Sequence, residues 1–411
     1  MNTSELTARP GEFKQPAVAR LFYSVMSRLE VGQLSFTAPD GTTTLFRGRQ
    51  DGPHADLRFA DWEVAAEAFK SAEIGLAEAY KTHRLSTSDL THFLMLCIAN
   101  EAALSGVFYG KPLVALFFRI KHMLRMNTRR NARRNIQAHY DLSNDFYRLW
   151  LDESMTYSAA LFADDADRES GDLAAAQAAK YQRILDELDP APGDTILEIG
   201  CGWGGFAEYA AKARDVRITG ITLSAAQLDY ARRRIARAGL ADRVDLQLID
   251  YRDIDGRFDH IVSIEMFEAV GERYWPVYFR TLRARLKPGG RALVQTITIA
   301  DAIFPRYRAT SDFIREYIFP GGMLPPVSRF VAEATKAGLA AGTPLMFGLD
   351  YAATLRRWRE QVDREASVIR TLGFDEAFLQ LWRFYLCYCE AGFRSGRTDV
   401  MQIALDAVEP A

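Results

Sequence analysis

Four cysteines in 411 residues, at positions 97, 201, 387 and 389, are too few and too scattered to frame a disulfide-stapled fold. Cys387 and Cys389 have no second pair to complete a zinc site, so no metal centre is expected. Long apolar runs are missing too. Stretches such as LVALFF (113–118) fall far below the ~20 residues that a membrane-spanning helix needs. The first residues, MNTSELTARPGEFKQ, contain no apolar core of a secretory leader. These absences point to a protein of the reducing cytoplasm that does not cross a membrane. Neither sign of charge dominates, with 51 Lys and Arg against 53 Asp and Glu, so overall charge names no partner. With 48% hydrophobic residues, wholesale disorder is excluded.

One further lack is local. Between Glu101 and Asp141 there is no acidic residue, while eight basic ones occur: Lys111, Arg119, Lys121, Arg125, Arg129, Arg130, Arg133 and Arg134. Leu113, Leu116, Phe117, Ile120, Met123 and Leu124 recur at helical spacing ahead of them. An apolar stripe running into a basic tail suits an anionic lipid surface, with Arg129, Arg130, Arg133 and Arg134 facing the membrane. The same pattern also fits a helix packed on the core with solvated arginines. Nucleic acid is disfavoured, because beyond this segment no basic patch is interleaved with stacking aromatics.

A chain of this length exceeds what one core usually spans. The pattern divides it into an α+β domain (1–112), a basic amphipathic linker (113–136) and a larger domain (137–411). In the first, GQLSFTAPDGTTTLFRG reads as two strands joined by a turn, and ADLRFADWEVAAEAFK as a strand followed by a helix. TSDLTHFLMLCIANEAAL reads as a helix capped by Thr87 or Ser88. From Asp194 onward, β-branched runs alternate with amphipathic helices, from TILEIG to RALVQTITI. That alternation predicts an α/β fold with a doubly wound, mainly parallel sheet. Residues 300–350, rich in aromatics, Pro and Gly, are expected to form a lid insertion, and the tail from Tyr351 to return to helices.

LEIGCGWGGFAEYAA (197–211) is a strand that breaks into glycines and resumes as a helix. Gly200, Gly202 and Gly205 satisfy the dinucleotide fingerprint, but the second strand ends in Thr222 and Ser224, without the acid that a nicotinamide ribose needs. S-adenosylmethionine (SAM) fits better: glycines let the backbone approach its methionine moiety, and Glu198 stands where it can brace the loop or face the amino group.

The blocks AHYDLSNDFYRLWLDESMTYS, LEIGCGWGG, GITLSAAQ, DYRDI, SIEMFEAVG and YIFPGG lie in order between Gln137 and Arg394. In these the chain resembles the cyclopropane-fatty-acyl-phospholipid synthases and their mycolic-acid-modifying relatives. The resemblance implies a class I, Rossmann-like SAM-methyltransferase fold, preceded by a lipid-recognising α+β domain. It implies that Tyr157, Ser158, Gly200, Cys201 and Gly202 meet the methionine end of SAM, Thr222 and Gln227 the ribose, and Asp250 and Tyr251 the adenine.

The chemistry so implied is methyl transfer to an alkene in an unsaturated phospholipid acyl chain, at the inner face of the membrane. A carbocation is left on the neighbouring carbon, which Tyr147, Phe267 and Tyr317 can stabilise. In ring-forming relatives a bound bicarbonate then removes a proton. Here Glu268, Ile297 and Tyr351 match that pocket, but Ala159 stands at its cysteine and Gln295 at its histidine. Gln295 can donate a hydrogen bond but cannot share a proton near neutral pH. With Glu268, Tyr351 and Gln295 as the catalytic group and bicarbonate binding in doubt, a methyl-branched unsaturated product is favoured over a cyclopropane. Glu268 is expected to be the nearest base. Alternatives are a SAM methyltransferase of a soluble small molecule and a catalytically silent lipid-binding protein; oligomeric state is open.

Overall fold

The computed structural model describes residues 16–108 and 142–408, with the side chains of 105–108 left aside. The chain divides into two compact units, residues 1–110 and 111–411. The linker 113–136, with Arg129, Arg130, Arg133 and Arg134, lies outside the described residues. None of the described helices is long and apolar enough to cross a membrane.

In the first unit β1 (Val31–Thr37), β2 (Thr43–Arg47), β3 (Gln50–Phe59) and β4 (Leu85–Ser86) form a sheet in the order β2-β1-β3-β4. The PDG turn joins β1 to β2 as read from the sequence. Alternation along β1 buries Leu34 and Phe36, and Phe36 meets Phe22, Phe59 and Trp62 at ring separations of 4.5 to 5.8 Å. The helix Leu90–Ala99 is capped by Asp89, whose side chain accepts from the His92 N–H, so the expected cap at Thr87 or Ser88 moves by one or two residues. Asn100 closes that helix. It is buried, takes the N–H groups of Glu30 and Val31 on Oδ1, and donates through Nδ2 to the carbonyls of Val31 and Leu96.

The second unit holds an eight-stranded sheet. β5 (Thr195–Ile199), β6 (Arg217–Thr222), β7 (Val244–Leu248), β8 (Phe258–Ile264) and β9 (Leu286–Ile299) run parallel in the order β9-β8-β5-β6-β7. The β-branched runs form buried strands because helices pack on the sheet; Leu197, Ile199 and Ile261 are each at most 1% exposed. β12 (Thr398–Ala407) adds antiparallel to β9, with β10 (Leu339–Ala341) and β11 (Leu345–Met346) beside it. This returning strand was not foreseen; its run of six consecutive buried residues, 400–405, lacks the helix-strand alternation that revealed the others. The tail is helical as expected, with Gly348–Arg364 packed on Glu376–Arg394.

The helix Leu173–Leu188 starts at an Asp172 cap and buries Tyr181, Ile184, Leu185 and Leu188 against the sheet. Its remaining inward positions are Ala176 and the polar Gln177 and Lys180, and both polar side chains are fully buried. Burying them without partners would be prohibitive, so their bonds mark where the fold serves something besides packing.

Candidate active site

From β5 the chain adds β6 and β7 on one side, then crosses over to place β8 and β9 on the other. In such a sheet the ligand crevice lies outside the carboxyl ends where the order reverses. Two turns occupy that edge, one after β5 and one after β8.

The turn after β5 is built on left-handed backbone: Gly200, Gly202 and Gly204 have φ of +89°, +51° and +82°. A Cβ added at Gly202 would meet nothing within 4 Å, so the turn faces open space, whereas one at Gly200 would press on Met266 at 3.0 Å. Gly204, absent from the sequence reading, caps the helix Gly205–Ala213 in this conformation. The thiol of Cys201 packs in the core with Ile196, Phe206 and Leu293, and burial raises it well above the usual range. Its side chain therefore serves packing. Glu198, one residue before the turn, is buried; burial lifts its carboxyl to about 8, and Oε2 has no hydrogen-bond partner among the described residues. An orphaned carboxyl oxygen beside an open glycine cradle fits a ligand that brings a cationic donor, as the ammonium of SAM would.

Thr222 ends β6, and its hydroxyl donates to Gln227 Oε1 at 3.3 Å while accepting from the Ser224 N–H. The two residues expected at the ribose thus stand together, both buried. Asp250 is bound bidentately by Arg252, at 2.8 Å from Nε and 2.5 Å from Nη2, and that guanidinium lies over the Tyr251 ring at 5.5 Å. Of the residues expected at the methionine end, Ser158 accepts on Oγ from the buried Lys180 ammonium at 2.6 Å. Tyr157 shares a hydrogen bond with the Tyr385 hydroxyl at 2.7 Å, and its ring lies 5.3 to 5.6 Å from those of Tyr147, Trp150 and Trp358.

The turn after β8 holds a group that the sequence reading passed over. Glu265 has φ +48°, a left-handed conformation that costs a residue with a Cβ about 1 kcal/mol or more. Its carboxylate collects three donors: Oε1 accepts from the Ala159 N–H and from Gln295 Nε2, both at 2.8 Å, and Oε2 accepts from the Tyr351 hydroxyl at 2.6 Å. Burial raises this carboxyl, opposed by its Tyr351 bond and by the charge of Lys180. Lys180 is itself drawn down to about 7 by burial.

Gln295 and Tyr351, expected as partners of Glu268, meet Glu265 instead. Glu268 Oε1 accepts from the Ile297 N–H at 2.6 Å and from the Thr296 hydroxyl at 2.9 Å, which braces β9. Its Oε2 is buried without a partner among the described residues, and burial, with repulsion from Glu265, lifts the group to about 8. Of the three rings expected around the cation, Tyr147 lies in the cage with Tyr157 and Trp203. Phe267 is fully buried among Trp275, Tyr278, Phe279 and Phe330, a packing position. Tyr317 stacks on Phe313 at 5.4 Å and is 38% exposed. The available signal for Glu265 was an acid directly after a buried strand at the reversal point, inside the block SIEMFEAVG.

The family model of mycolic acid cyclopropane synthetase matches residues 127–403. The chain is 41% identical over 338 residues to tuberculostearic acid methyltransferase UfaA1 of Mycobacterium tuberculosis, covering 81% of this chain and 78% of that one. It is 37% identical over 267 residues to the cyclopropane-fatty-acyl-phospholipid synthase of Escherichia coli, covering 65% and 66%. Among solved structures, mycolic acid cyclopropane synthase CmaA1 complexed with SAH and CTAB superposes with a TM-score of 0.62 at 32% identity, over 67% of this chain and 98% of that one.

Proposed function

The chain belongs to the mycolic acid cyclopropane synthetase family of SAM-dependent enzymes that modify fatty acids, and on that premise we propose a specific reaction. A methyl group is transferred to an alkene carbon in an unsaturated phospholipid acyl chain, a cation forms on the neighbouring carbon, and loss of a chain proton leaves a methyl-branched unsaturated acyl group. SAM supplies the electrophilic methyl. Gly200 and Gly202 form the floor of its site, Glu198 takes the amino group, Thr222 and Gln227 the ribose, and Asp250 and Tyr251 lie by the adenine.

The observation that carries this reading is the Glu265 carboxylate on the donors Ala159, Gln295 and Tyr351. Ala159, Gln295 and Tyr351 are the positions that the resemblance assigns to a bicarbonate pocket. A tethered carboxylate already satisfies them, and a second anion there would meet its charge. Glu265 is therefore the proton acceptor, placed beside Tyr351 and close to the aromatic cage. An isolated alkene is a weak nucleophile, so the buried rings Tyr147, Trp150 and Trp358 serve by excluding water and facing the developing charge. The basic segment around Arg129 to Arg134 supports action at an anionic membrane surface, with the first unit aiding lipid recognition.

Incubation with methyl-labelled SAM and vesicles of unsaturated phospholipid tests the proposal. Ring and branch both add CH2, so the lipids are also read by NMR for a retained double bond. Label in lipid with the alkene retained is expected. Cyclopropane protons would restore the ring-closing alternative, and label only in soluble extract would overturn a lipid substrate.

A further inference from the structure

The carboxylate of Glu265 is the end of a hydrogen-bond chain that begins at the surface, and every link runs the same way. Arg183, on the helix Leu173–Leu188, donates through Nη1 to Gln402 Oε1 at 2.5 Å. Gln402 Nε2 donates to Gln295 Oε1 at 2.9 Å, and Gln295 Nε2 donates to Glu265 Oε1 at 2.8 Å. Gln402 and Gln295 are cross-strand partners in the β12–β9 ladder, 1% and 0% exposed, so neither amide can turn to water.

A carboxamide taken alone can sit either way round, exchanging its donor and acceptor. A guanidinium only donates. With Arg183 at the head, turning Gln402 would set N–H against N–H, and turning Gln295 would set its oxygen against that of the carboxylate. We infer that Arg183 and Gln402 are positioning residues: through Gln295 they fix the direction of hydrogen bonding at Glu265 and keep its carboxylate ready to take the proton. The inference rests on the proposed reaction, in which Glu265 accepts a proton from the acyl chain and neither glutamine moves one.

The other groups facing Glu265 are the Tyr351 hydroxyl from the helix Gly348–Arg364, the Ala159 N–H, the Lys180 ammonium and the Glu268 carboxyl of its own turn. Lys180 favours the charged carboxylate and Glu268 disfavours it, and both remain in place when the chain is cut at Gln402.

Donated bonds stabilise the ionised carboxyl, so removing them moves its titration to higher pH. In Gln402→Leu, kcat near neutral pH is expected to fall about tenfold, with KM for lipid unchanged and the acidic limb of the pH profile displaced upward by about one unit. Arg183→Met moves the limb the same way by less, and Arg183→Lys, still a pure donor, recovers most of the rate. A limb at the wild-type position in both Gln402→Leu and Arg183→Met overturns the inference, whatever happens to kcat. If the wild type methylates no lipid, the proposed reaction fails, and the chain is still read by infrared titration of protein with 13C-labelled glutamate, with Glu265→Gln as the subtraction. Equal titration midpoints in wild type and Gln402→Leu would then overturn it.

Discussion

The two units bury polar groups to different ends. In the first, the Asn100 amide makes four hydrogen bonds, to Glu30, Val31 and Leu96, and ties a helix end to the sheet. In the second, Glu198 and Glu268 each bury a carboxyl oxygen that has no partner among the described residues, and Glu265 holds three donors from a strained backbone. A buried group satisfied entirely by backbone atoms, as Asn100 is, joins elements of the scaffold. An unsatisfied one costs stability that the fold tolerates where a ligand completes the set. The contrast separates the scaffold from the site without reference to any relative.

The contrast is broken most directly at Glu265. Glu265→Gln retains shape and loses the proton acceptor, so labelled-methyl transfer to lipid is expected to fall ~100-fold or more with SAM affinity preserved. Full turnover in that variant, with loss in Glu268→Gln, would return the role of base to Glu268. Glu198→Gln is next: calorimetry is expected to show SAM binding weakened by about 10- to 100-fold, the worth of a charged hydrogen bond.

The same variant gives a pH test. Burial raises the Glu198 carboxyl from 4.5 to about 8, so its protonated form is favoured by folding. That contribution is complete below pH 4.5 and is lost as pH rises through 8, on the order of a few kcal/mol. The ligand-free wild type is therefore expected to lose thermal stability between pH 4.5 and about 8 relative to Glu198→Gln, and saturating SAM to remove the difference. A parallel pH dependence in both proteins would show that Glu198 is satisfied by something else.

Asn100→Leu sharpens the opposite side, with denaturant unfolding showing a loss of ~1–3 kcal/mol while transfer per folded molecule is unchanged. The smallest effect is expected for Glu at Arg129, Arg130, Arg133 and Arg134 together, a weakening of vesicle association in low salt that fades as salt is raised. Undiminished binding would remove the basic segment from lipid recognition.

Much of the fold was legible because strands β5 to β9 are apolar runs of the right length, separated by amphipathic helices except between β7 and β8, a periodicity that local chemistry enforces. The glycine cradle was legible for a similar reason, since a residue without Cβ between a strand and a helix has few other uses. β12 was missed because an apolar run near the end of the chain carries no mark of direction or partner. Motif spacing names a position in the chain and so points to Glu268 as the base, whereas Glu265, which has that role in the proposed reaction, stands three positions earlier.

By itself the sequence determined the succession of β5 to β9, the glycine turn at Gly200 and Gly202, and the lack of a ribose acid after β6. Each depends on what a residue does to its own backbone or its immediate neighbours. Only the tertiary structure decided that Glu265 meets Ala159, Gln295 and Tyr351, that Glu268 braces β9, and that Arg183 reaches the site through Gln402. Those facts join residues from 28 to 219 positions apart, and a hydrogen bond a few ångströms long is decided by where strands pair and helices pack, which no local pattern encodes.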